Sequence, residues 1–306
     1  MDRIDAMTVF VAALDEGSLA GAGRKLGRSP AAVSRAVAFL EEQVGAELLH
    51  RTTRSSKLSE VGERFAQTCR RLLTDLKEAE TIVASHRKAP GGTLAFTAPV
   101  LLGEEVLRPL LDEFLDAFPT VSAKITLLDR TVNLLEEGID AALRIGHLPD
   151  SSMVAVRLGE VRQVVAAAPS YLDKHPPIET PADLTAQRII SFSHAELDTW
   201  RFPPLAETTI PRVVHFTPRI AVNSARAAVA SAVEARGVTR LYSYHVADQV
   251  RDGRLRVVLR TYEFPPVPVH LVMPEGRIAI PKVRAFVDFM VPRLRKFFGR
   301  GIDYGD

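Results

Sequence analysis

Gly17-Ser18 and Gly27-Arg28-Ser29-Pro30 cut the start of the chain into three segments, each too short for anything but a small packed helix. Ile4, Met7, Phe10, Val11 and Leu14 recur at three- and four-residue spacing and predict an amphipathic helix over 3–16. Gly17 suits the residue after that helix, and Ser18 can cap the next one at once. The second helix carries Leu19, Ala22 and Leu26 and stops at Gly27. Ser29 then caps a third helix whose first position is Pro30, where a missing N–H costs nothing. Val33, Val37, Leu40 and Val44 fall within about a 60° arc of this helix, which ends before Gly45. Helices this short are marginal alone, so the three must share one core.

The opposite face of the third helix carries Ala31, Arg35, Ala38 and Glu42, flanked by Ala32 and Ser34. It is small, polar and basic near its N-terminal end. Such a surface can enter a major groove, with alanine methyls toward thymine methyls and Arg35 toward phosphate or guanine. Arg24, Lys25, Arg28, Arg35, Arg51, Arg54 and Lys57 outnumber Glu41, Glu42 and Glu47 between residues 18 and 59. The run Arg51-Thr52-Thr53-Arg54-Ser55-Ser56-Lys57 interleaves cations with hydroxyls, which suits a wing along a phosphate backbone. Taken alone, the same run also reads as a solvated loop.

These residues carry a resemblance. Phe10 to Ser18, Ser18-Leu19-Ala20 to Leu26, Ser29-Pro30-Ala31-Ala32-Val33-Ser34-Arg35 and Leu40-Glu41-Glu42 with Gly45 stand in the order and spacing of the LysR-type transcriptional regulators, which this stretch resembles. Leu48-Leu49-His50-Arg51-Thr52-Thr53-Arg54 and Leu58-Ser59-Glu60-Val61-Gly62 continue the likeness. The resemblance implies a winged helix-turn-helix that contacts double-stranded promoter DNA through Ser29, Pro30, Ala32, Ser34, Arg35, Arg51 and Arg54. Many members of that family have glutamine where Pro30 stands. A proline cannot make that base-edge hydrogen bond, which shifts readout toward DNA shape and flanking residues.

From Ser59, a capping residue, no proline interrupts the chain until Pro90. Phe65, Cys69, Leu72, Leu76, Ala79 and Val83 alternate spacings of four and three, the seam of a coiled coil. This predicts a rod of roughly 40 Å that pairs with a second copy, or a linker helix packed on its own chain. The resemblance implies the first, a homodimer, with two dimers joining as a homotetramer. Paired heads would read half-sites about 34 Å or a multiple apart, hence a partly palindromic site.

Ala89-Pro90-Gly91-Gly92 is a linker, and after it strands and helices alternate, which predicts parallel sheets with crossover helices. The expected strands are Leu94–Ala98, Val121–Leu128, Ala141–Ile145, Val154–Leu158, Gln163–Ala168, Ile189–Phe192, Arg219–Val222, Val238–Tyr242 and Val267–Met273. The expected helices are Glu104–Ala117, a short one at Asn133–Glu137, Ala225–Ala235 and Lys282–Lys296. Thr97-Ala98-Pro99, the stretch Leu134 to Gly146, and Pro169-Ser170-Tyr171-Leu172 extend the resemblance to this region. It implies a two-lobed α/β effector-binding module shaped like a periplasmic binding protein, with the chain crossing near 159–164 and returning near 265–271. The implied layout is a DNA-binding domain at 1–59, a dimerising linker helix at 60–89 and an effector domain at 90–306. Its first lobe takes about 90–161 and 268–306, its second about 162–267.

Open α/β sheets bind ligands beyond the carboxyl ends of their strands, where helix N-termini attract anions. Thr97, Pro99, Asp129, Arg130, Ile145, Gly146, Ser193, Asn223 and Ser224 occupy such positions. Each reads either as an effector contact or as a structural residue, and a small carboxylate fits the setting. With 306 residues, 46% of them hydrophobic, the chain can bury sizeable cores. Cys69 is its one cysteine, so internal disulfides and thiol-rich metal sites are excluded.

The histidines lack metal-ligand spacing and read as ordinary surface or core residues. Trp200 reads first as core, and the cations of the C-terminal helix, Lys282 among them, as a solvated face. No nucleophile elbow or phosphate-binding loop occurs, so no cofactor is expected beyond the effector. No signal peptide or membrane span is legible, which predicts a cytoplasmic protein. The reading is therefore a ligand-responsive regulator, with RNA polymerase a further partner if it activates. The alternative is an α/β enzyme or solute-binding protein with a basic helical appendage.

Overall fold

The three short helices form between the expected stops, as α1 (Arg3–Asp15), α2 (Leu19–Leu26) and α3 (Pro30–Val44). A computed structural model describes residues 1–51, 56–84, 89–148, 153–192, 199–204 and 210–299. These fall into two compact units that divide between Lys88 and Ala89. Ser18 Oγ accepts from the Gly21 amide at 3.0 Å, and Ser29 Oγ from the Ala32 amide at 3.2 Å. Gly27 ends α2 at φ 65°, a left-handed conformation that glycine adopts without a Cβ penalty. The shared core is built from Ala6, Val9, Phe10, Ala22, Val33, Ala36, Val37 and Leu40.

Two short strands follow, β1 (Leu49–Arg51) and β2 (Ser56–Leu58), paired antiparallel as the stem of the wing. The Glu41 carboxylate accepts from the amides of Leu48 and Leu49 at 2.9 and 3.1 Å. It therefore fastens the wing to α3. Ser59 Oγ caps α4 (Glu60–Ala84), accepting from the Gly62 amide at 2.9 Å and donating to the Glu47 carbonyl at 2.6 Å.

The seam of α4 serves two surfaces, which corrects the expectation of one continuous pairing stripe. Phe65 packs on Phe10 with ring centroids 5.9 Å apart, and Cys69 is fully buried in the core of its own unit. Arg70 reaches Asp15 of α1 at 2.6 Å. Leu72 and Leu76 stay exposed, and the side chains of Ala79 and Val83 lie outside the described residues. The first part of the helix completes the small three-helix core, which is too small to close without it.

In the second unit, β3 (Gly92–Ala98) leads into α5 (Val100–Leu102), a π-helical turn at Gly103–Leu107, and α6 (Arg108–Ala117). Then come β4 (Val121–Leu127), β5 (Ala141–Ile145) and β6 (Met153–Val161). After Arg162 the chain enters a second sheet with β7 (Gln163–Ala167), α7 (Pro169–Leu172), β8 (Ile189–Phe192) and the hairpin β9 (Thr199–Phe202) and β10 (Arg212–His215). It continues through β11 (Ile220–Val222), α8 (Ala225–Val233), β12 (Val238–Tyr242), α9 (Ser243–Arg251) and β13 (Arg256–Val258). It returns as β14 (Val267–Pro274) and closes on α10 (Pro281–Gly299).

The sheets run β4-β3-β5-β14-β6 and β11-β8-β12-β7-β13. Both are mixed, not parallel throughout: β14 runs against β5 and β6, and β7 against β12 and β13. The single residue Arg162 carries the chain from β6 in the first sheet directly into β7 in the second. Apolar side chains from both sheets, Phe96, Val165, Ile190 and Leu271 among them, form one continuous core together with Phe114 of α6.

Three local expectations are corrected. Asn133–Glu137 is a turn and not a helix, because Asn133 Oδ1 accepts from the Leu135 amide at 3.1 Å and offers the backbone a competing partner. Lys282 is buried against Asp140 and does not belong to a solvated face. The hairpin β9–β10 and helix α9 are additions to the expected elements. Each is short and has a pattern too brief to stand out.

Candidate DNA-reading face and ligand cleft

Ala31, Arg35, Ala38 and Glu42 of α3 are exposed, while Val33, Ala36, Val37 and Leu40 are buried. Ala32 and Ser34 are half-buried on the flanks, and Ser29 and Pro30 stand exposed at the helix start. Ser29 already spends one acceptor on the cap. The turn before α3 lies tight on α2: a Cβ on Gly23 would sit 2.7 Å from the Arg28 carbonyl oxygen.

The cations of the head divide into two groups. Arg28 holds Asp5 with two hydrogen bonds of 2.8 and 2.6 Å, which lower the Asp5 carboxyl and raise the guanidinium. Lys25 pairs with Glu16 at 2.9 Å. Arg24 and Arg35 have no partner among the described residues and are available to phosphate or base. Arg51 closes β1 opposite Ser56, but its side chain, like all of Arg54, lies outside the described residues.

In the second unit, β3 runs parallel to β4 and β5, so Thr97 and Pro99, Asp129 and Arg130, and Ile145 and Gly146 share one end of the first sheet. β8, β11 and β12 are likewise parallel, which places Asn223, Ser224 and Tyr242–His245 at one end of the second. The two ends face each other. Arg226 at the start of α8 reaches Glu104 at 2.7 Å and Glu105 at 3.3 Å. Burial raises the Tyr244 phenol, and the negative charge of Asp129 and Glu105 adds to the rise.

The expected contacts occupy this cleft in different ways. Thr97 is fully buried with a hydroxyl that has no partner among the described residues. Pro99 precedes α5, and Asp129 accepts from the Val100 amide at 3.0 Å. Arg130 is exposed; Ile145 and Gly146 are half-buried, and the Gly146 amide donates to the Pro268 carbonyl at 2.9 Å. Asn223 is exposed, Ser224 caps α8 through the Ala227 amide at 3.3 Å, and Ser193 lies outside the described residues.

The cleft also holds Glu104, Glu105, Arg226, Tyr242, Tyr244 and His245, which the sequence does not single out. For Tyr242–His245 a signal exists, since the segment follows β12 as Asn223-Ser224 follows β11. It is hidden because α9 itself has too brief a pattern. The two crossings are joined at their base: the Ser243 amide donates to the Arg162 carbonyl at 2.8 Å, and Arg162 pairs with Glu263 at 3.4 Å. Burial raises the Glu263 carboxyl against the pull of that arginine.

Among the described residues no group of His, Cys, Asp and Glu could hold a metal ion, and no helix is long and apolar enough to cross a membrane. A winged helix-turn-helix followed by a long helix and a two-lobed α/β module defines a class, the ligand-responsive DNA-binding regulators.

Residues 4–63 match the family model described as bacterial regulatory helix-turn-helix protein, lysR family, and residues 87–295 match the LysR substrate binding domain. The chain is 34% identical over 291 residues to an HTH-type transcriptional regulator of Xanthomonas campestris, covering 94% of this chain and 84% of that one. It is 32% identical to an HTH-type transcriptional repressor of Pseudomonas aeruginosa, covering 95% and 92%. Among solved structures, CrgA of Neisseria meningitidis, a LysR-type transcriptional regulator, is similar with a TM-score of 0.60 and 28% identity, covering 95% and 98%. The chain belongs to the LysR family of transcriptional regulators, which bind DNA and are not enzymes.

Proposed function

We propose that this regulator reads a partly palindromic promoter site with the N-terminal end of α3 in the major groove. Ser29, Pro30, Ala32, Ser34 and Arg35 face the bases, and Arg51 and Arg54 lie along the backbone. The observation that carries this reading is the exposed, small and basic face of α3, on which Arg35 has no partner among the described residues. In this reading residues 1–59 are the DNA-binding domain, 60–89 the linker and 90–306 the effector domain. Exposed Leu72 and Leu76 of α4 then pair two copies, and the cytoplasm is the compartment. A small-molecule effector sits between the lobes against Thr97, Pro99, Asp129, Arg130, Ile145, Gly146, Ser193, Asn223 and Ser224. Its binding changes the spacing or bend that the paired heads impose on DNA, and RNA polymerase is the partner where the outcome is activation.

Anisotropy titration of a promoter duplex with Arg35→Ala tests the reading face. A loss of about 1–3 kcal/mol is expected for a base contact. Unchanged affinity would remove α3 from the groove. Sedimentation of Leu72→Glu tests the pairing, with a shift toward single chains expected.

A further inference from the structure

Glu41 stands in the last turn of α3, where the helix dipole disfavours a carboxylate. Its Oε1 accepts from two consecutive backbone amides, Leu48 at 2.9 Å and Leu49 at 3.1 Å. Both leucines are buried, so an amide that loses this acceptor is costly to leave unpaired. Bonds from backbone N–H groups to a carboxylate are short and strong, which offsets the cost of the position. The root of the wing is thus bonded to the helix that carries Arg35.

Leu48 is also held from its other side. Its carbonyl accepts from the amide of Ser59, the cap of α4, at 3.1 Å. A Cβ on Gly62 would collide with that carbonyl oxygen, so α4 closes directly on the wing root. α4 is itself fixed to α1 through Phe65 on Phe10 and Arg70 on Asp15. Arg35 and Glu41 lie six positions apart on one helix, about 9 Å along its axis. One rigid element therefore carries both the reading face and the acceptor that fixes the wing.

Resting on the reading of α3 in the major groove and the wing on the backbone, we propose that Glu41 is a positioning residue for DNA recognition. It holds the wing root at one distance from the reading face, so that Arg35 and the wing cations Arg51 and Arg54 meet the same duplex together. Glu41 itself touches no DNA. A wing released from α3 has to be ordered again at each encounter, and its phosphate contacts are lost first.

The test is an anisotropy titration of the full-length protein at several salt concentrations, on a duplex selected from random sequence by the parent. Glu41→Ala is expected to bind at least about tenfold more weakly, with the slope of log affinity against log salt lowered by about one to two. Glu41→Gln keeps a side-chain oxygen for both amides and should stay within about threefold of the parent, at the parent's slope. A head that is merely less stable binds as a smaller active fraction and keeps that slope. Arg54→Ala should weaken the parent and Glu41→Gln alike, but add less than about twofold to Glu41→Ala. Arg35→Ala should have the same effect in all these backgrounds. An unchanged slope in Glu41→Ala, a Glu41→Gln as weak as Glu41→Ala, or full additivity of Glu41→Ala with Arg54→Ala overturns the proposal. No effect of Arg35→Ala or of Arg54→Ala on the parent instead removes the reading of the two DNA-contacting surfaces, and the proposal with it.

Discussion

The Asp140 carboxylate and the Lys282 ammonium meet at 3.1 Å, with the two residues 2% and 6% exposed. Arg277 reaches the same carboxylate at 3.3 Å, the Ala95 amide donates to it at 2.9 Å, and Lys282 donates to the Thr93 carbonyl at 2.7 Å. The pair thereby ties the start of β5 and the first turn of α10 to β3. A buried ion pair adds little over an apolar pair of the same size, but breaking one strands a charge. Asp140→Ala should therefore cost about 3–5 kcal/mol in urea unfolding. An apolar replacement of both partners should recover much of that loss. A single-variant loss below about 1 kcal/mol would show the charges to be solvated.

The division of the head's cations yields a second expectation. Arg24 and Arg35 have no partner among the described residues, whereas Arg28 is committed to Asp5 through two hydrogen bonds. Removing one phosphate contact should lower the slope of log affinity against log salt by about one. Arg24→Ala or Arg35→Ala is expected to weaken duplex binding, and where the contact is to phosphate the slope should fall by that amount. Arg28→Ala should leave both within about twofold of the parent, since its charge is already answered. Anisotropy titrations at several salt concentrations measure all three. A slope that falls for Arg28 but for neither of the others would reverse the assignment.

Cys69 gives a dependence on pH. Burial pushes its thiol up to about 11, against an ordinary value of 9.0. A folded value raised in this way means that the protonated thiol is favoured in the folded chain. Its stabilising contribution is whole below the unfolded value and is lost as pH rises from about 9 toward 11. Urea midpoints at pH 8 and pH 10.5 should fall further apart in the parent than in Cys69→Ala. Equal falls would show the thiol to be open to solvent. Native alkylation at pH 8 should likewise be at least about tenfold slower than in the unfolded chain, because only the thiolate reacts.

How much of the molecule is legible in its sequence depends on whether a local signal has a competitor. The stops at Gly17, Gly27 and Ser29-Pro30 fix their helices by backbone chemistry alone, and nothing distant overrides them. At Asn133 a side-chain turn wins over helical propensity. The heptad from Phe65 to Val83 reads as one surface because spacing cannot tell a partner helix from α1, and only packing shows that Cys69 belongs inside. Lys282 looks like any helix-surface lysine until Asp140, far off in the chain, is placed beside it. The strand-end positions in the cleft follow from the α/β rule, yet Tyr244 and His245 do not, since their setting rests on Asp129, Glu105 and Phe192 arriving from three other segments.

Arg226 with Glu104 and Glu105 is an ion pair that spans the cleft, and all three side chains are more than two-fifths exposed. Exposed pairs contribute roughly 0–1 kcal/mol to folding and are screened by salt. The equilibrium between lobe arrangements is a finer balance, so a contribution of that size shifts populations several-fold without altering the fold. Arg226→Ala should therefore leave the unfolding midpoint almost unchanged while raising the radius of gyration of the effector-free protein in small-angle scattering. Salt near 1 M should produce the same expansion in the parent and little further change in the variant. Expansion of both proteins by equal amounts in salt would mean that other charges hold the lobes together, and an unchanged radius in Arg226→Ala would show that this bridge does not set the width of the cleft.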